Sequence, residues 1–251
     1  ERIAEQIATM SPEQRRQLIA AAPQQVGNTD GVPWEMRMAA NRINVADAIL
    51  VQRRTIDEPV DDKIRAVVRR RYGTRIDRIS FERVRQMIAS DPGRRAAAIA
   101  DHDRIANARI TVYQGLLADV PDPVHPDGRM VQRKILAFDT DRSALVELTG
   151  ELSTATSVGV LVPGLNTTVL DSAANTETVR RFVAAGAGDV AMITYLGGPF
   201  PTGGLWNAAN PHYAQAMAPR LVAFSEDVDR TVDSVGTGPG RPVSYTHLRA
   251  H

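Results

Sequence analysis

The chain contains no cysteine, which excludes disulfides, thiolate metal sites and a cysteine nucleophile together. Lysine is nearly missing too: Lys63 and Lys134 stand alone, and arginine supplies the remaining positive charge. With frequent Ala, Val and Asp, this bias reads as high-GC coding rather than a binding adaptation. Net charge is only +1, so it gives no reason to expect nucleic acid or an anionic membrane surface as a partner. No apolar run approaches the ~20 residues that cross a bilayer. The start has no signal-peptide pattern, but it is Glu1 rather than Met, so an upstream segment is allowed for and no compartment is assigned.

Several chemical signatures are also missing. The Gly-Lys-Ser/Thr ending of a phosphate-binding P-loop does not occur. The Gly-rich run 236–240 has the look of a dinucleotide fingerprint, but Pro239 interrupts it, Pro242 follows it, and it precedes a strand instead of leaving one. The five histidines, His102, His125, His212, His247 and His251, form no metal-ligand spacing, so neither a metal nor a cofactor is expected. His102 is expected on an exposed helix turn, His125 in a linker, and His212 as a polar residue of a helix's first turn.

What is present is enough apolar content, 43% of 251 residues, for a full core. The first 120 residues read as helical. Ser11, Pro12 and Gln14 make a capped start, 23–33 is too rich in turn formers to be regular, and 34–56 resumes as a helix with Met38, Ile43, Ala46 and Ile49 or Leu50 in period. Asn28 to Gly31 is a turn signal in which Asp30 has a structural rather than a catalytic role. Further helices are expected over 62–72, 80–88 and 96–117, the last with Ile105, Ala108, Val112 and Leu116 on one face. The triplet Arg69 to Arg71 reads as a solvated helix face. A Pro/Asp linker over 119–128 separates this helical region, 1–120, from a sheet domain, 129–245.

That domain is organised around Val158 to Val169. Val158, Val160, Leu161 and Val162 form a buried strand stopped by Pro163-Gly164. Val190 to Tyr195 repeats the pattern and breaks at Gly197-Gly198, with a helix over 175–185 between them. This is a β-α-β unit, and the expected fold is α/β with a doubly wound, mostly parallel sheet. Strands over 131–138 and 144–148 form a hairpin before it. A long helix over 207–235 follows, kinked or divided at Pro219, then a strand from Pro242. A strand-to-helix turn such as Pro163 to Asn166 can aim amides at a developing oxyanion, with Leu165 as donor and Gly164 and Asn166 shaping the loop. It can equally be a steric solution, and the tetrapeptide alone leans that way. Gly197, Gly198 and Phe200 are the expected wall of the cleft, with Trp206 near it.

Val26-Gly-Asn-Thr-Asp-Gly-Val-Pro33, Arg37-Met-Ala-Ala-Asn41, Arg133-Lys-Ile-Leu-Ala-Phe-Asp139 and Val160-Leu-Val-Pro-Gly-Leu-Asn-Thr-Thr168, in this order, resemble a family of α/β-hydrolase-fold proteins of uncharacterised function from high-GC bacteria. The resemblance implies a Ser-Asp/Glu-His triad and a strand at 242–245 that leads into a Gly-His-Ser-x-Gly nucleophile elbow. Here the chain departs from the pattern. Tyr245 is followed by Thr246-His-Leu-Arg-Ala-His251, which places Leu248 at the nucleophile position. This ending resembles translated adapter sequence, so 246–251 is expected to be a non-native tail. The C-terminal half of the sheet and all three triad residues are then expected beyond residue 245.

The sequence therefore predicts the N-terminal part of a serine hydrolase for ester, thioester or amide bonds of a small acyl substrate, itself inactive. The competing reading is a non-catalytic α/β scaffold whose helical region binds a protein partner.

Overall fold

The computed structural model describes residues 2–125, 127–164, 167–200, 211–235 and 243–247. They form two compact units, one of Glu1–Val45 with Leu116–His251, the other of Ala46–Gly115. Compactness thus groups the first 45 residues with the sheet, whereas composition draws its line near residue 120.

In the first unit, helices α1 (Arg2–Ala8), α2 (Pro12–Ala21) and α3 (Pro23–Asn28) lead into α4 (Trp34–Ile56). Ser11 caps α2 in a capping box with Gln14. Helix α3 corrects the irregular segment expected over 23–33. Its turn formers are overridden by tertiary contact: Val26 and Gly27 are buried, and the Asn41 side-chain amide donates to the Gly27 carbonyl at 2.8 Å. The buried face of α4 is also not the one expected. It carries Arg37, Asn41 and Asn44 beside Trp34, Met36, Ala40 and Val45; of the expected residues Ile49 is buried, Met38, Ile43 and Ala46 are half-buried, and Leu50 is exposed.

These polar groups have a purpose in the sheet. Strand β3 (Lys134–Asp139) is an outer strand whose free edge would otherwise present unpaired backbone. Asn28 donates to the Phe138 carbonyl at 3.0 Å and accepts from its N–H at 2.9 Å, as a neighbouring strand would. Arg37 Nε donates to Leu136 at 2.8 Å and Asn41 to Ile135 at 3.2 Å. The edge is closed by side chains.

A Cβ added at Gly27 would fall on the Asn41 carboxamide, itself bonded to Asn44. Gly27→Ala is therefore expected to cost about 1–3 kcal/mol by overpacking and loss of the Ile135 contact. A fall in the urea midpoint at unchanged m-value would show it.

A two-stranded hairpin, β1 (Asp119–Pro121) with β2 (Met130–Gln132), occupies part of the stretch expected to be a linker. The main sheet has the order β3, β4 (Ala144–Thr149), β6 (Val190–Leu196), β5 (Ser157–Val162), β7 (Val243–His247). Strand β4 is antiparallel to β3 and β6, whereas β5 is parallel to both β6 and β7. The sheet is thus mixed, within an α/β fold.

Alternation along the strands sends apolar side chains to both faces. Leu161 and Met192 pack with Val179 and Val183 of α8 (Ala173–Ala185). Val158, Val160, Ile193 and Tyr195 pack with Phe224, Val228 and Val232 of α9 (Pro211–Val235) and with Trp34. Helix α9 runs through Pro219 without dividing, which leaves a kink as the alternative of the two expected there.

In Ala46–Gly115, α5 (Val60–Tyr72), a 3₁₀ turn (Gly73–Arg75), α6 (Arg78–Ser90) and α7 (Pro92–Leu117) surround Ile64, Val67, Val68, Ile88 and Ala98. The cap of α6 is Asp77, which accepts from the Ser80 amide, so the helix starts before the expected residue 80. The buried face of α7 runs through Ala98, His102, Ala106, Tyr113 and Leu116; of the expected stripe Leu116 is buried, Ile105 and Val112 are half-buried, and Ala108 is exposed.

His102 is likewise buried rather than exposed, with Nδ1 3.0 Å from Asp103, whose carboxylate also takes both bonds of Lys63 at 2.8 and 3.0 Å. Burial pushes Asp103 up, but the Lys63 and His102 hydrogen bonds outweigh it and hold the carboxyl below its ordinary 3.8. A depressed carboxyl adds stability that is present above the unfolded value and lost as pH falls through the folded one. The melting-temperature gap between the native chain and Asp103→Asn is accordingly expected to persist near neutrality and close below about pH 4.

Candidate functional site

Strands β3, β6, β5 and β7 end on one edge of the sheet. From β5 the chain passes through α8 to β6, and from β6 through α9 back across β5 to β7, with the two helices on opposite faces. Adjacent strands whose connections leave to opposite faces open a crevice at their carboxyl ends, where α/β proteins place their ligands. The turns at that point are Pro163-Gly164 and Gly197-Gly198.

Of the residues expected to stabilise an oxyanion, Gly164 follows β5 there and is half-buried, while Leu165 and Asn166 lie outside the described residues. Of the expected cleft wall, Gly197 lines a cavity of about 80 Å³ with Asn28, Asp30, Arg142, Tyr195 and Arg220. Gly198 is buried beside the Arg220 guanidinium, and Phe200 is buried. Trp206 is outside the described residues.

Local sequence explains the shape of this edge. A Cβ at Gly197 would fall on the Tyr195 ring, so the glycine lets that ring lie under the turn. Tyr195 stacks at 4.8 Å on Phe224. Arg220, one turn before Phe224, donates to the Gly197 carbonyl at 3.3 Å and so ties α9 to the turn after β6. Gly31, at φ 87°, gives the tight turn that brings Asp30 and its own N–H to Asp227.

Beneath the cavity lies a buried charge cluster. Arg37, 2% exposed, bonds Asp227 at 2.9 Å and Asp30 at 3.1 Å. Asp227 also accepts from Trp34 Nε1 at 3.0 Å and Gly31 N at 2.9 Å. Asp30 is raised above its ordinary value by burial, with Arg37 pulling it down and Asp227 pushing it up. Burial, then the Asp30 charge, pushes Tyr195 up to about 12 against the pull of Arg220 and Arg37. Tyr195 is therefore a neutral hydroxyl near neutral pH, able to donate a hydrogen bond but not to act as a base.

Arg37 entered the sequence reading only within a motif and Tyr195 only as the end of a strand, and Asp227 and Arg220 were not named at all. A signal was available for Asp227, a carboxylate beside Val228 in the apolar rhythm of α9 that calls for a buried partner, whereas α4 has too little amphipathic pattern to point to Arg37. Among the described residues no three His, Asp or Glu side chains gather in a way that would hold a metal ion. No helix is long and apolar enough to cross a membrane, also among the described residues.

An α/β sheet with a crevice at this edge defines a broad class. Within it, residues 139–244, which run from the last residue of β3 into β7, match the Alpha/beta hydrolase family model. The match covers somewhat less than half of the chain. Neither a curated protein nor a solved structure matches.

Proposed function

We propose that the chain carries the N-terminal part of a serine hydrolase that cleaves ester, thioester or amide bonds. The observation that supports it best is the placement of β5. It runs parallel between β6 and β7 and delivers Pro163-Gly164 to the crevice, where the following amide can face a developing oxyanion. In this reading the sheet is the first half of a doubly wound hydrolase sheet, and Leu165 supplies the N–H donor. Gly164 and Asn166 shape its loop, and Gly197, Gly198 and Phe200 wall the cleft. Strand β7 is the strand that precedes the nucleophile elbow. Leu248 then stands where the serine belongs, so the nucleophile, its histidine and its acid are encoded after residue 245 of the uninterrupted gene.

Reading that gene past Pro242 is the test. A Gly-x-Ser-x-Gly within the next ten or so codons supports the enzyme. A frame that continues without one supports the scaffold, whose own observation is the compact helical unit Ala46–Gly115. The 251-residue chain is expected to show no esterase activity sensitive to a serine-reactive phosphonate, because binding and oxyanion contacts alone cannot replace the covalent route. Phosphonate-sensitive turnover by this chain would contradict the assignment of the nucleophile.

A further inference from the structure

The Ala46–Gly115 unit holds a groove of about 320 Å³ among α5, α6 and α7, outside everything invoked for hydrolysis. Its walls are Val67, Tyr72, Val84, Met87, Ile88 and Ala98. At its mouth stand Arg71, Arg94 and Asp101. Met87, 46% exposed, borders the groove, so apolar surface that an occupant would cover now faces solvent.

Charge at the mouth is unbalanced. Asp101 is already bracketed by Arg70 and by Arg104 at 2.7 Å, and these contacts keep it ionised. Among the described residues Arg94 has only Asp91 as a carboxylate partner, at 3.7 Å. Arg71 has no carboxylate partner among the described residues. The unit as a whole is cationic, with 15 Arg and Lys against 10 Asp and Glu.

Size narrows the occupant. Cavities that take small ligands run from ~300 to ~1,000 Å³ and are mostly apolar with a few placed polar groups. This groove is at the small end and cannot seat a partner helix, about 10 Å across with its side chains. A bilayer would press on a convex apolar surface rather than fill a concave one.

We propose that the groove binds a slim amphipathic anion, a single-chain aliphatic carboxylate. Its chain lies against Val67, Val84, Ile88 and Ala98, and its head group meets Arg71 and Arg94. Guanidinium forks match a carboxylate in two parallel hydrogen bonds, which a lysine could not offer.

Calorimetric titration of the 251-residue chain with decanoate, kept below its micellar range, tests this. Saturable one-to-one binding is expected, with decylammonium at least about tenfold weaker and acetate silent. Arg71→Gln with Arg94→Gln should weaken decanoate about tenfold and leave decanol unchanged. Ala97→Trp, at an exposed position on the groove's rim, should fill it and abolish both without altering the thermal melt. Equal affinity for decanoate and decylammonium, or undiminished binding to Ala97→Trp, overturns the proposal. So does retention on anionic vesicles with no saturable decanoate site, which would assign the charge to a membrane-facing surface.

Discussion

Asp227→Ala is expected to cost about 3–5 kcal/mol of folding stability, the scale for breaking a buried ion pair from one side. The carboxylate is 5% exposed and holds three donors at once: Arg37, the Trp34 indole and the Gly31 amide. Alanine strands all three and leaves a guanidinium in the core with Asp30 as its remaining carboxylate partner beside the Leu136 carbonyl. Asp30 is a poor substitute, because burial already disfavours its charge. Its raised pKa means its contribution is fully present below the unfolded value and is lost as pH rises through the folded one. Asp30→Asn should consequently be neutral or slightly stabilising near pH 7.

Removing both charges is expected to hurt less than removing one. In Arg37→Met with Asp227→Leu, no fully buried ion is left uncompensated, because Asp30, which loses its Arg37 partner, keeps a third of its side chain in solvent; the Leu136 carbonyl also loses its bond to Arg37 Nε. Urea denaturation of the single and double variants closes a mutant cycle. A cost of under about 1 kcal/mol for Asp227→Ala would show that the cluster is not what joins α9 to α4.

This cluster also marks the limit of what could be read from sequence. Strands β5 and β6 were legible because buried β-branched runs ending at Pro-Gly and Gly-Gly leave little else to choose. The capped start of α2 and the bounds of α4 were legible for a similar reason, as local chemistry decides them. The burial pattern of α4 was not. An α-helix whose inner face holds Arg37, Asn41 and Asn44 has almost no amphipathic signal, and its partners, β3 and α9, lie ~90 to ~190 residues away in the chain. Helix α3 was lost to the same blindness, since its glycine is chosen for contact with Asn41 rather than for a turn.

The quoted motifs therefore divide in two. Asn28, Arg37 and Asn41 close the edge of β3, and Arg133 forms a forked pair with buried Glu147 at 2.8 and 2.6 Å. These are residues of architecture. Only Val160 to Thr168 carries a strand into the crevice, so the chemical expectation rests on that stretch.

That expectation has a direct test. In the serine hydrolase proposed above, Leu165→Pro is expected to lower kcat by about 10²–10³ with little change in KM, since proline removes the N–H proposed as oxyanion donor while the ground-state carbonyl gains little from it. Leu165→Ala keeps the amide and should stay within a few-fold of the native rate. This contrast separates a lost donor from a lost side chain. A proline could also displace the loop, because the residue before it avoids helical backbone, but Gly164 at that position is the residue best able to adapt. Loop displacement would raise KM together with the fall in kcat, whereas a missing donor acts on the transition state and leaves KM in place. If Leu165→Pro were as active as Leu165→Ala, the turn after β5 would be a steric device only, and the donors for any hydrolysis would have to come from the elbow beyond β7.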